Sequence, residues 1–284
     1  MKNENSLSHT SVDDILRTIK AVGDKFLAEF RKQSIPQDLK AFKTAFDAID
    51  ESCTGFLKSQ LLKEFPDIQW ADGEMNLEQQ RAPLAHQQYW ICDSMDGAVQ
   101  YLQHLAGWTI NLVLVTDGSP TFSAIYNPLE GEMYHAVKGM GAFLNGKPIA
   151  TSTKTERWMM LAAFNHPPFS AKISGLNSRI GNSVAELLDQ YGAVRNYGPT
   201  GLQLAYVGSG RIDVFAQLGL DTYNWLAGIL IAVEAGAKIL NATGGEWKWG
   251  DDSLVVCNSA AKFSSKRYNR IVLFLERTPP GSLN

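Results

Sequence analysis

Apolar residues recur at helical spacing at Leu16, Ile19, Val22, Phe26, Leu27 and Phe30, which places them on one face of a long amphipathic helix. Ser11-Val12-Asp13-Asp14 in front supplies an N-cap and acids for the first turn. Pro36 ends a connecting turn, and a second helix over 38–63 carries Phe42, Phe46, Ile49, Phe56 and Leu61 on its apolar side. Asp50 lies on this helix, at a position that is ordinarily solvated surface. The pattern then changes. Residues 65–70 read as a short strand running into Ala71-Asp72-Gly73-Glu74, residues 75–88 as a polar, proline-containing loop, and Tyr89 to Cys92 as the end of a buried strand. A short helix over 99–105 is followed by strands over 108–116, 121–126 and 132–137, then by a meander around Ala142-Phe143-Leu144 with turns at Gly139, Gly141 and Gly146. A further strand over 157–165 carries Met159, Leu161 and Ala163 on one side. The second half alternates: helices over 182–191, 200–208 and 222–235, strands over 193–196, 211–217, 238–241 and 253–257, and a closing helix over 260–276. Residues 1–10 read as a disordered start and 11–284 as one domain, with an α+β half over about 11–150 and an α/β half over about 151–284.

Composition narrows the classes of function. The 284 residues are 45% hydrophobic and 19% charged, ordinary for a globular chain able to bury a large core. A net charge of −3 leaves no electrostatic footprint for a nucleic-acid partner or an anionic membrane, so neither is expected. No apolar run approaches a membrane span, and MKNENSLSHT lacks the apolar core of a signal peptide. Three well-separated cysteines, Cys53, Cys92 and Cys257, read as reduced thiols in a cytoplasmic protein. Cys92 has no histidine near it in sequence and reads as a small apolar residue packed at a strand end. The five histidines show no metal-ligand spacing, and Trp247 and Trp249 read as edge-strand packing.

The candidate chemistry lies in Asp93-Ser94-Met95-Asp96-Gly97-Ala98. A D-x-x-D pair alone is most often a turn with two solvated acids. Here a buried strand precedes it and a glycine and a helix follow, so both carboxylates can point into one site. The carbonyls of Ser94 and Met95 are available as further oxygen ligands, a donor set that suits a hard cation. Gly97 permits close backbone approach, and the amides of Gly97 and Ala98 open a helix N-terminus that favours an anion.

With their neighbours, these residues resemble the inositol monophosphatase family. Asp93 to Ala98 is similar to its D-P-[IL]-D-G-[TS] signature, and Gly73-Glu74-Met75-Asn76 falls where the family carries G-E-E-[ST]. Tyr223-Asn224-Trp225-Leu226-Ala227-Gly228 running into Glu234-Ala235-Gly236-Ala237 resembles its W-D-x-A-[AG] helix and E-A-G-G turn. Gly131 to Tyr134, Gly139 to Gly146 and Gly198 agree in order, so the resemblance spans about residues 11–275. It implies an αβαβα layered sandwich, a homodimer, and Mg²⁺-dependent hydrolysis of a small phosphorylated substrate, an inositol phosphate or related sugar phosphate. It places Glu74, Asp93 and the Met95 carbonyl on a first metal, and Asp93, Asp96 and residue 224 on a second. The Gly97 and Ala98 amides would hold the phosphate, with Glu74, Asp50 and Asp93 carrying catalysis.

The departures are chemical. Asn224 stands for the W-D acid and removes one negative charge from the second metal. Ala98 removes the hydroxyl that orients the attacking water, so Asp50, the partner of that hydroxyl, is expected to have nothing to accept from. Met75 replaces an acid, Ser94 replaces the signature proline, and Gln217 stands where inositol-specific members carry a glutamate for the sugar hydroxyls. Asp221, three residues before Asn224, can share its face only if the helix has already begun there. The expectation is a weak phosphatase or, alternatively, a degenerate member that binds metal and a phosphorylated ligand in a regulatory role.

Overall fold

The computed structural model describes residues 7, 9–72, 76–168 and 170–260. Gly73, Glu74, Met75 and the helix expected over 260–276 therefore lie outside the described residues, save its first residue. In chain order the elements are α1 (His9–Glu29), α2 (Leu39–Glu64), β1 (Gln69–Trp70), β2 (Gln88–Asp96), α3 (Ala98–Leu102), β3 (Thr109–Thr116), β4 (Ser119–Asn127), β5 (Glu132–Val137), β6 (Ala142–Leu144) and β7 (Lys147–Pro148). They continue as β8 (Leu161–Asn165), α4 (Leu176–Gln190), β9 (Ala193–Arg195), α5 (Thr200–Gly208), β10 (Val214–Leu218), α6 (Thr222–Glu234), β11 (Lys238–Leu240) and β12 (Ser253–Cys257).

Strands β1 to β7 form one sheet in sequence order, antiparallel except for the β1–β2 pair. The second sheet runs β11-β12-β10-β8-β9, with β10, β8 and β9 parallel and β12 antiparallel to β10. Side-chain alternation sorts the cores. Trp90, Ile110, Leu112 and Leu114 pack with Ile15, Ile19, Leu57 and Leu61 of α1 and α2. Tyr89, Ile91, Val113 and Val115, on the opposite face, pack with Leu202, Leu226 and Leu230 of α5 and α6. The other side of that helix pair (Leu204, Trp225, Ile229) meets Phe215, Leu254 and Val256 of the second sheet. Leu187 of α4 covers the far face with Ala162, Val214 and Cys257. The order helix, sheet, helix, sheet, helix is the αβαβα sandwich that was expected.

Several elements differ from the pattern reading: α3 ends at Leu102 and β10 begins at Val214, and in three others tertiary neighbours give the reason. β8 begins only at Leu161, where β9 and β10 flank it; residues 157–159 make a turn with Trp158 and Met159 exposed. α4 starts at Leu176, six residues before the expected 182, because Gly175 (φ 71) turns the chain in and Leu176 is buried. The mid-helix Gly181 is what masks this start in the sequence. All eight positions of β3 are buried, including Thr109 and Asn111. A sheet covered by helices on both faces demands this, and it leaves polar Asn111 needing a partner inside. Trp247 packs edge-on to Trp225 at 6.3 Å and Trp249 Nε1 donates to the Gln80 carbonyl at 3.1 Å, so both serve packing.

Candidate active site

The site is built at the end of β2. Asp93 pairs with Asn111 and Asp96 with Thr109, so β2 carries one extra residue between them, a bulge that re-aims side chains. The strand thus continues through both acids, and the turn follows at Gly97, whose φ is 92°. A Cβ on Gly97 would lie 2.7 Å from the Gly107 carbonyl oxygen and 2.8 Å from Pro199 Cγ. Gly97→Ala is therefore expected to lower stability by roughly 2–4 kcal/mol, from left-handed strain plus overpacking; urea unfolding of the variant checks it.

Ser94, in the proline position, is buried. Its hydroxyl donates to Asp50 Oδ1 at 3.0 Å and accepts from Thr54 Oγ1 at 2.9 Å, while the Cys53 thiol donates to its carbonyl at 2.8 Å. This corrects the expectation for Asp50: it does accept a hydrogen bond, from the hydroxyl that replaced proline. The Ser94 carbonyl, expected to be available as a ligand, is used by Cys53. Three contacts from α2 thereby fasten the bulge that carries Asp93 and Asp96. Met95 is buried and its amide donates to Asp93 Oδ1 at 3.3 Å.

Asp96 is partly buried and accepts from Asn111 Nδ2 at 2.9 Å and from the Gly201 amide, at the start of α5, at 3.0 Å. Thr109 Oγ1 donates to Asn111 Oδ1 at 2.9 Å and so fixes which end of that amide faces Asp96. Asn111 and Gly201 were not singled out from the sequence. The available signal was a lone polar amide at the centre of an apolar strand, which must find a buried partner.

On the other side stands the N-terminus of α6. Asp221 is its N-cap residue, outside the helix that starts at Thr222, and its side chain nevertheless meets that of Asn224. Asn224 Nδ2 donates to Asp221 Oδ1 at 2.7 Å, and Gln217 Nε2 to Asp221 Oδ2 at 2.7 Å. Gln217 is buried and also accepts from Thr200 Oγ1 at 3.4 Å, which in turn accepts from Asn165 Nδ2 at 2.6 Å. Both ends of the Gln217 amide are thus bonded within the protein. Burial pushes the carboxyl of Asp96 up to about 6 and that of Asp221 up to about 7, the charge of Asp96 adding to the rise at Asp221.

Among the described residues no three His, Cys, Asp or Glu side chains gather into a group able to hold a metal ion. The residues present nevertheless suit one. Among the described residues Asn224 Oδ1 is buried without a hydrogen-bond partner, an arrangement that costs free energy unless a cation or donor completes it. Near the Asp221 carboxylate that orients this amide lies the like-charged Asp96, and the donors are all oxygen, the preference of a hard cation.

The sequence pattern of the inositol monophosphatase family matches residues 9–273. The chain belongs to the inositol monophosphatase family. Among its relatives, a Nus factor SuhB from Xylella fastidiosa is 25% identical over 243 residues, 85% of this chain and 86% of that protein. Inositol monophosphatase 3 from Solanum lycopersicum is 28% identical over 201 residues, 70% of this chain and 74% of that protein. The fold matches that of an IMPase from Thermotoga maritima, with a TM-score of 0.75 at 21% identity, covering 93% of this chain and 98% of that one. Inositol monophosphatases are generally metal-dependent. A relative named as a Nus factor leaves the expected absence of a nucleic-acid partner without support. No helix among the described residues is long and apolar enough to cross a membrane.

Proposed function

We propose that this inositol monophosphatase family member is a Mg²⁺-dependent phosphomonoesterase acting on an inositol phosphate or related sugar phosphate, with turnover reduced by the changes at positions 98 and 224. The observation that carries this reading is the buried Oδ1 of Asn224, without a partner among the described residues and held beside a carboxylate pair. Asp93, Asp96 and Asn224 would hold one Mg²⁺, and Glu74, Asp93 and the Met95 carbonyl another. When bound, Mg²⁺ polarises the phosphate, supplies a hydroxide at neutral pH and stabilises the leaving oxygen. The amides of Gly97 and Ala98 bind the phosphate. Asn111 and Gly201 hold Asp96 in position, and Asp50, through Ser94, holds the bulge. Without a hydroxyl at position 98 the attacking water is poorly oriented, a defect worth about 10²–10⁴-fold in rate. Cys53 and Cys257 are buried thiols, which suits the reducing, cytoplasmic setting we propose; the homodimer rests on the family resemblance.

The test is Mg²⁺-dependent phosphate release from a panel of phosphomonoesters, with Asp93→Asn as the blank. Release well above the blank, lost on chelation, is expected. A flat response across substrates and metals overturns the reading. It would favour the second one, a regulatory protein that binds metal and a phosphorylated ligand without turnover, for which the Nus-factor relative and the residues Ala98 and Asn224 speak.

A further inference from the structure

Asp221 occupies the N-cap of α6, yet its side chain makes no capping bond to the helix amides. An aspartate there ordinarily accepts from the second or third helical amide. Here one oxygen takes Asn224 Nδ2 and the other takes Gln217 Nε2, both at 2.7 Å. The donors run one way, from Asn165 through Thr200 and Gln217 to Asp221, with Asn224 arriving from the other side. Asp221 is therefore where this buried network ends, on a carboxylate 3% exposed with both oxygens engaged. That placement suits a residue acting through its neighbour and not a direct ligand.

The geometry points to Asp221 as a positioning residue for a divalent cation: it clamps the Asn224 amide so that Oδ1 is presented as a ligand, and it returns, one step further out, the negative charge that Asn224 lacks. A carboxamide is planar, so tying Nδ2 to Asp221 also fixes where Oδ1 points. A carboxylate accepting from the NH₂ group polarises the amide and makes its oxygen a better cation ligand, as carboxylates do behind metal-bound histidines. The oxygen so presented is buried and has no donor among the described residues. Charge is conserved within one turn of helix: an acid is missing at 224 and present at 221. The inference rests on the metal-dependent reading of the site, but it concerns cation binding and not turnover.

The test is titration of Mn²⁺ into the chelated protein at saturating inorganic phosphate, read by water-proton relaxation. The wild type is compared with Asp221→Asn and with the exchange Asp221→Asn/Asn224→Asp. The wild type is expected to bind a tighter and a weaker Mn²⁺. Asp221→Asn weakens the weaker site about 10–100-fold and leaves the tighter one in place. The exchange restores the weaker site, and the melting temperature of chelated Asp221→Asn is not lowered. Wild-type affinity at both sites in Asp221→Asn overturns the inference, as does a single site in the wild type or an exchange that restores nothing. Equal weakening of both sites with a lowered melting temperature assigns Asp221 a purely structural role and also overturns it. Two bound Mn²⁺ with no phosphate release from any substrate would sink the phosphatase reading while leaving this one standing.

Discussion

Ala98→Thr combined with the exchange Asp221→Asn/Asn224→Asp is expected to raise Mg²⁺-dependent phosphate release by about 10²-fold or more, the scale of a recovered proton-handling group. From sequence alone the obvious repair is Ala98→Thr with Asn224→Asp. The structure shows why that pair falls short. Asn224 Nδ2 lies 2.7 Å from Asp221 Oδ1, so an aspartate at 224 would set two buried carboxylates against each other at hydrogen-bonding distance, beside Asp96. Like charges so placed cannot both ionise readily. Exchanging the two residues keeps the hydrogen bond and the net charge and moves only the position of the acid. Comparing kcat/KM of the triple variant with that of Ala98→Thr/Asn224→Asp is the decisive measurement. A triple variant no faster than wild type would mean that residues 98 and 224 do not limit turnover.

Asp96→Asn is expected to lower phosphate release by about 10³-fold or more, as removal of a residue central to the catalytic arrangement does, with little change in folding. Oδ2 of Asp96 accepts from both Asn111 Nδ2 and the Gly201 amide. The amide oxygen of an asparagine can take over both of these bonds, which preserves the tie to β3 and α5; the Thr200 amide also bonds this carboxylate. The cost to activity is the lost charge, since an uncharged NH₂ replaces one oxygen of a carboxylate in the proposed cation site. Burial already disfavours the charge on Asp96, so apo stability should hold or rise slightly. Paired measurements of kcat/KM with Mg²⁺ and of the melting temperature with chelator separate the two effects. Activity near wild type in a stable variant would remove Asp96 from the cation site.

Local pattern made much of the protein legible. The helical spacing of Leu16, Ile19, Val22 and Phe26 matches α1, and the strand-glycine-helix order around Asp93 to Ala98 marks the family signature where the structure has β2, Gly97 and α3. Such features depend on residues a few positions apart, and backbone geometry converts their spacing into a shared face. The motif also announced its chemistry, since two acids, a glycine and free amides suit few ligands besides a cation and a phosphate.

What the sequence could not show was which distant groups meet these acids. Asp96 finds Gly201, 105 residues away, and Asp50 finds Ser94, 44 residues away. A buried acceptor can be satisfied by any donor that packing brings within about 3 Å, and no spacing rule connects α2 to the β2 bulge or α5 to its end. That is why Asp50 looked stranded when read against Ala98 alone, and why Asn111 went unnoticed. The sequence by itself determined the layered elements and the family to which they belong. Only the tertiary structure decided that Ser94 took over the bond to Asp50 and that Asp221 clamps Asn224, because closing the sheets over α5 and α6 is what brings those partners together out of water.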